Sequence, residues 1–293
     1  MTSSNLLGTA PRKTTRLSPL SYPGGKFRAR KIIRHYFPKN VKEMVSPFFG
    51  GGHIELDCAA DGIKVHGYDA YDRLINFWKH LQSSAPKVRK EAWKFYPMTR
   101  DKFYSLREEY ESLQCNIKKA AVFWSVHKSS FSKMGFSKTG ISMKENRFNP
   151  KQINLLGDFH NNNFTIDCAD FKHSLSHHSD IFAYCDPPYL LGKSFLYGIN
   201  GQLHKDFDHI GLCEQLKARD NWVLSYNNTP EIREMYAGYD FVYPQFKYSM
   251  GNKLGHQQET KEILIINTGI KPDLIYPNLN PEHPKYPLTS FFD

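Results

Sequence analysis

Two adjacent prolines behind an apolar run set the tightest constraint on this chain. Residues 181–185 (Ile-Phe-Ala-Tyr-Cys) read as a buried strand, and Asp186-Pro187-Pro188-Tyr189 follows it directly. Pro187 and Pro188 have fixed φ and no amide hydrogen, so the backbone must leave a sheet there in a stiff, extended turn. Such a turn holds one carboxylate, one backbone carbonyl and one aromatic face around a small planar group. That trio suits an exocyclic amino group on a base. Asp186 and the Pro187 carbonyl accept its two hydrogens, and the Tyr189 ring stacks on the base. The plainer alternative is a proline-rich surface turn, which the preceding apolar strand disfavours.

An earlier stretch predicts a second ligand-facing loop. A strand is expected at Glu43–Ser46, then Pro47-Phe48-Phe49-Gly50-Gly51-Gly52, then a helix from His53. Glycines between strand and helix let a backbone approach a ligand closely. Alone the loop does not choose a ligand, since nicotinamide, flavin and phosphate sites also use one. A dinucleotide pattern needs a third glycine where Glu55 stands, and a phosphate loop needs a Gly-Lys-Ser/Thr that is absent. Residues 64–68 read as the next strand. Asp69 at its tip, seventeen residues beyond Gly52, can take two ribose hydroxyls or cap the helix expected from Tyr71. This β-loop-α-β opening predicts an α/β nucleotide-binding fold.

Sheet-type runs resume at Phe164–Cys168, 181–185, 222–226 and Glu262–Asn267. The intervening pattern is helical, with clear helical spacing over 117–128 and a Ser/Lys/Gly-rich hairpin or loop over 129–145. An amphipathic helix is expected over 27–37, ended by Pro38. The expected organisation is therefore a sheet domain built from 18–76 and 163–270, a mainly helical insertion at 77–162, and extended tails at 1–17 and 271–293.

Charge adds a partner class. The net charge is +10, and residues 1–42 hold ten Lys/Arg with no acid, so the remainder balances at 29 against 29. Within that remainder, residues 117–151 hold eight Lys/Arg against Glu145 alone. Two basic zones point to a polyanion with a defined footprint, or else to a solvated tail and helix face. No apolar run reaches the roughly 20 residues that cross a bilayer, and the N-terminus carries no hydrophobic signal core. Five scattered cysteines (Cys58, Cys115, Cys168, Cys185, Cys213) argue for a reducing cytoplasm and against disulfides or structural zinc. His177-His178 reads as a solvated loop, so no metal is expected.

Taken in order, these segments resemble the Dam-type, D12-class group of DNA N6-adenine methyltransferases. Tyr22-Pro23-Gly24-Gly25-Lys26 resembles the group's Trp/Tyr-x-Gly-Gly-Lys segment, and Pro47 to Gly52 its Pro-Phe-x-Gly-x-Gly loop. Asp69 is similar to its ribose-binding acid, and Cys168-Ala169-Asp170-Phe171 to the segment that holds the cofactor's adenine. Asp186 to Tyr189 stands as its catalytic motif. Phe207-Asp208-His209 with Leu212 resembles the Phe-x-Asp-His-x-x-Leu segment beyond it, and 222–227 the following strand. Two departures stand out. Ser46 occupies a place commonly held by an acid, and 126–133 lack the Asn-Arg-Thr-x-Phe-Asn-Gly string of GATC-reading members.

The resemblance implies a Rossmann-like S-adenosylmethionine-dependent methyltransferase sheet domain with an inserted helical target-recognition domain. It implies S-adenosylmethionine as cofactor and duplex DNA as partner, with room for a companion restriction endonuclease. Tyr22, Lys26, Phe48, Gly50, Gly52, Asp69, Asp170, Phe171 and Asp186 would hold the cofactor. Asp186, Pro187 and Tyr189 would act on N6 of a flipped adenine. Lys128, Lys133, Lys138, Lys144 and Arg147 are expected to grip DNA phosphates. The alternatives are methylation of RNA adenine or another exocyclic amine, and a catalytically silent nucleic-acid-binding subunit.

Overall fold

In the computed structural model, which describes residues 18–137, 139–142, 147–190, 207–244 and 262–272, the apolar runs become strands of one sheet. The strands are β1 (Glu43–Ser46), β2 (Lys64–Asp69), β3 (Phe164–Cys168), β4 (Phe182–Cys185), β5 (Trp222–Asn227), β6 (Asp240–Val242) and β7 (Glu262–Asn267), in the spatial order β3-β2-β1-β4-β5-β7-β6. The first five run parallel, and β7 lies antiparallel between β5 and β6.

Parallel pairing explains the composition of these strands. Met44 and Val45 of β1 are fully buried, as are Ala183 and Cys185 of β4 and Val223 and Leu224 of β5, because helices cover both faces. Strand order reverses between β1 and β4, which pair through Met44↔Phe182 and Val45↔Ala183. A crevice therefore opens beyond their carboxyl ends. The Gly50–Gly52 loop, Asp69, Asp170 and Asp186 follow β1, β2, β3 and β4, so parallel pairing alone sends all four to one edge. The antiparallel hairpin was not expected. It matters because β7 starts where β5 stops, with Asn227↔Glu262 in register, and so delivers Glu262 to that same edge.

The helices are α1 (Arg30–His35), α2 (Glu55–Ala60), α3 (Asp72–Trp93), α4 (Arg100–Glu108), α5 (Asn116–Ser129), α6 (Pro150–Gly157), α7 (Phe171–His177), α8 (His209–Lys217) and α9 (Pro230–Met235). α3 bends at Ser84, two residues before Pro86, whose ring cannot continue a regular helix. The expected boundary between residues 76 and 77 falls inside α3. Leu74, Phe77, Trp78 and Leu81 on this helix share one core with Phe123 and Trp124 of α5, Ile153 of α6, and Phe49 and Phe164 on the sheet side. α5 is buried continuously from Ala120 to Ser129, as a helix enclosed on all sides must be.

Local differences from the sequence reading are small and have causes. α1 spans fewer residues than 27–37, and α2 begins at Glu55 because Gly52 and the two residues after it complete the loop turn. Over 129–142, Ser130 bridges Ile141 in antiparallel fashion, and a 3-10 turn at Phe131–Lys133 puts Ser132 and Lys133 at φ 52° and 63°. His177 closes α7 rather than lying in a solvated loop. The ring of His178, its C-cap, stands 3.0 Å from the Tyr68 hydroxyl. The expectations for residues 1–17 and 273–293 lie outside the described residues. No described helix is long and apolar enough to cross a membrane, and the described residues contain no group of three side chains able to hold a metal.

Candidate active site

The loop after β1 is held open by its own glycines. Gly50 and Gly52 sit at φ +47° and +62°, a region that only glycine enters freely. A Cβ on Gly52 would also stand 2.6 Å from the Phe49 ring, so the residue must be glycine on both grounds. The Gly50 amide donates to Asp69 Oδ2 at 3.0 Å, and the Tyr71 amide donates to Oδ1 at 3.0 Å. Asp69 thus ties the loop to the tip of β2. Burial pushes its carboxyl up to about 6, against the two amide bonds. Trp78 of α3 donates its indole N–H to the Gly50 carbonyl at 3.0 Å, which seats the loop on the helical block.

A cleft of about 520 Å³ opens over this loop. Its walls include Tyr22, Lys26, Phe48, Gly50, Gly52, Asp69, Asp170, Phe171 and Asp186, which are all nine expected cofactor residues. Phe48, Phe171 and Phe207 form an aromatic wall with ring centroids 5.4–6.0 Å apart. Asp170 caps α7 by accepting from the His173 amide at 2.8 Å, so one of its oxygens is engaged in holding that helix.

Asp186 emerges from β4 into the same cleft. Lys26, only 4 % exposed, places Nζ 2.9 Å from Asp186 Oδ1 and 3.7 Å from Glu262 Oε1, and donates to the Tyr189 hydroxyl at 2.7 Å. Burial pushes the Asp186 carboxyl up to about 6; Lys26 pulls it down and Glu262 pushes it further up. Pro188 lines the cleft, whereas Pro187 and Tyr189 are not among the lining residues. The Tyr189 ring stacks on Tyr226 at 5.9 Å and 23°, and Tyr226 is in turn hydrogen-bonded to His209.

Three participants were not anticipated as such. Asn227 accepts from the Leu190 amide at 3.0 Å and donates to the Leu190 carbonyl at 2.8 Å, clamping the chain just past Tyr189. Its signal was its place at the end of the strand after the motif. Glu262 arrives through the antiparallel hairpin, which no local pattern announces. Glu55, read only as a missing glycine, is a buried carboxyl in the cleft wall that accepts from Ser46 Oγ at 2.8 Å.

The expected DNA-contact residues do not form one exposed row. Lys128 is corrected: it is 2 % exposed, and its Nζ donates to Gln152 Oε1 at 3.1 Å and Ser21 Oγ at 3.4 Å, so it braces α5 from inside. Arg147 donates to the Ser130 carbonyl at 2.6 Å and fastens the base of the hairpin. Lys133 lies on the left-handed turn at the hairpin's end. Lys138 and Lys144 lie outside the described residues.

A family model described as D12 class N6 adenine-specific DNA methyltransferase matches residues 22–250. Among curated proteins, the chain is similar to Modification methylase StsI of Streptococcus sanguinis, at 23 % identity over 192 residues. That stretch covers 59 % of this chain and 29 % of the relative, so the matched region spans less than a third of the relative's length.

Proposed function

The chain belongs to the D12 class N6 adenine-specific DNA methyltransferases, and from that premise we propose that it moves a methyl group from S-adenosylmethionine to N6 of a flipped adenine in duplex DNA. The observation that carries this reading is the meeting of Asp186 with the Gly50–Gly52 loop and Asp69 in one cleft. The cleft's volume falls within the roughly 300–1,000 Å³ of sites for ligands of cofactor size. The donor set fits as well. Asp69 keeps acceptor capacity beyond its two amide bonds for ribose hydroxyls, and the aromatic wall offers flat faces to a purine.

When bound, S-adenosylmethionine supplies an electrophilic methyl group on a sulfonium. The chain's part is to raise the nucleophilicity of a poor nucleophile. An adenine amino lone pair is delocalised into the ring; the Asp186 carboxylate and the Pro187 carbonyl accept its hydrogens and favour a pyramidal nitrogen. A carboxylate has about four lone-pair sites, so Asp186 can keep Lys26 while it accepts from the amino group. Tyr189, backed by Tyr226 and clamped through Asn227, fixes the plane of the base. The remaining contribution is alignment within the cleft. A base inside a duplex cannot reach Asp186, so flipping costs a few kcal/mol first.

Expressing the chain in a methylation-free host and mapping N6-methyladenine in its DNA tests the reading. Modified adenines at a defined sequence support it. Unmodified DNA together with methylated RNA would transfer the site to RNA. Absence of S-adenosylmethionine binding in a titration would leave a silent subunit.

For the DNA surface, Lys133 and Lys138 remain the proposed phosphate contacts. Changing both to Ala is expected to lower the slope of log K against log salt by about two, alike on cognate and unrelated duplexes. An unchanged slope removes both lysines from the interface.

A further inference from the structure

One carboxyl in the cleft has no part in the mechanism above. Glu55 is 3 % exposed, opens α2 and lines the same cleft as Asp186. Ser46 Oγ at the end of β1 donates to it at 2.8 Å, which holds the side chain across the base of the glycine loop. Asp186 lies close enough for its charge to act on Glu55. Asp69, by contrast, stands at the tip of the next strand and Asp170 beyond the one after. The cleft therefore has two ends. Asp69 and Asp170 face one of them, and Glu55 with Asp186 faces the other.

We propose that Glu55 is a cofactor-binding residue that receives the α-ammonium group of the methionine end of S-adenosylmethionine. The inference rests on the methyltransferase reading. Methyl transfer requires the sulfonium beside Asp186, and the amino-acid chain of the cofactor extends from that sulfonium, so a carboxyl near Asp186 meets that chain. The ammonium rather than the sulfonium is the partner because a desolvated carboxylate must be paired by hydrogen-bond donors, and only the ammonium carries N–H groups.

The protein without cofactor supports this role. Burial pushes the Glu55 carboxyl up to about 8, the Asp186 charge adds to the rise, and the Ser46 and backbone hydrogen bonds oppose it. Near pH 7 Glu55 is thus mostly neutral. Among the described residues, Tyr184 in β4 and Cys58 on α2 also act on Glu55, and burial pushes both of these up, while Lys26 and His53 line the same cleft. Arrival of an ammonium favours the ionised form, so Glu55 gives its proton to the buffer as the charge pair forms. Asp186 and Asp69, each near 6, are already largely ionised at pH 7 and release little.

Calorimetry of cofactor binding near pH 7, in phosphate and in imidazole buffer, counts this proton through the difference in buffer ionisation heat. The wild type is expected to release roughly 0.5–1 proton per S-adenosylmethionine bound. S-adenosylhomocysteine, which keeps the ammonium and lacks the sulfonium charge, should release the same amount. In Glu55→Gln, an isosteric change that keeps an acceptor for Ser46, release should fall to near zero and affinity by about tenfold or more. Binding by the wild type without proton release overturns the inference and leaves the methyltransferase reading intact. Release with S-adenosylmethionine but not S-adenosylhomocysteine overturns the ammonium assignment. A wild type that binds neither ligand overturns both readings. Should Glu55→Gln fail to fold, the wild-type proton count with the two ligands decides alone.

Discussion

Replacing Asp186 with Ala is expected to lower single-turnover methyl transfer by well over tenfold while the protein stays folded. Loss of an aligned acceptor at the reacting nitrogen costs at least about 1.4 kcal/mol of barrier. Folding should survive because Lys26 keeps Glu262 at 3.7 Å and the Tyr189 hydroxyl at 2.7 Å, so no buried charge is stranded. Rapid-quench measurement of labelled methyl transfer, beside a thermal melt, separates the two effects. A folded variant that keeps more than about a tenth of wild-type turnover would remove Asp186 from the reacting centre.

Asp69→Ala is expected to weaken S-adenosylmethionine binding by about a hundredfold and leave DNA affinity within about twofold. Two charge-assisted hydrogen bonds to ribose hydroxyls are together worth about 3 kcal/mol. The loop contributes to the loss, since Asp69 also anchors the Gly50 and Tyr71 amides. Asp69→Asn separates these parts: it keeps an acceptor for an amide and removes the charge, so its affinity should fall between the two. Unchanged cofactor affinity in the Ala variant would place the ribose elsewhere.

Much of the sheet could be read from the chain because its strands are short apolar runs with abrupt ends. Glu43–Ser46, Phe164–Cys168 and Glu262–Asn267 have the bounds the sequence implies. β6 was missed because three residues carry no usable alternation. Pairing is a different matter. Nothing local to 262–267 says that it runs antiparallel and inserts between two other strands, so Glu262 could not be assigned to the site. The aspartates' place at the cleft was legible because each stands at or just beyond the carboxyl end of a strand. Glu55 was not, since its importance comes from burial and from Ser46 nine residues earlier. Lys128 illustrates the opposite error. In sequence it is a base in a basic stretch, yet Ser21 and Gln152 from distant segments supply the partners that allow it inside.

Helix α3 carries a mechanical implication. It leaves β2 beside Asp69, holds the glycine loop through Trp78, and then runs on as the spine of the helical block against α5 and α6. With one core spanning both parts, the block has no soft joint at residues 76–77 about which to swing as an independent lobe. The chain should therefore melt in a single calorimetric transition whose van't Hoff and calorimetric enthalpies agree, and two separated endotherms would show otherwise. On the proposed reading, any adjustment to DNA would fall to the turn near Lys133 rather than to rigid-body rotation of the block. On the same reading, a shift of α3 would also reach the glycine loop through Trp78, and this helix would be a physical route for reciprocal coupling between cofactor and DNA.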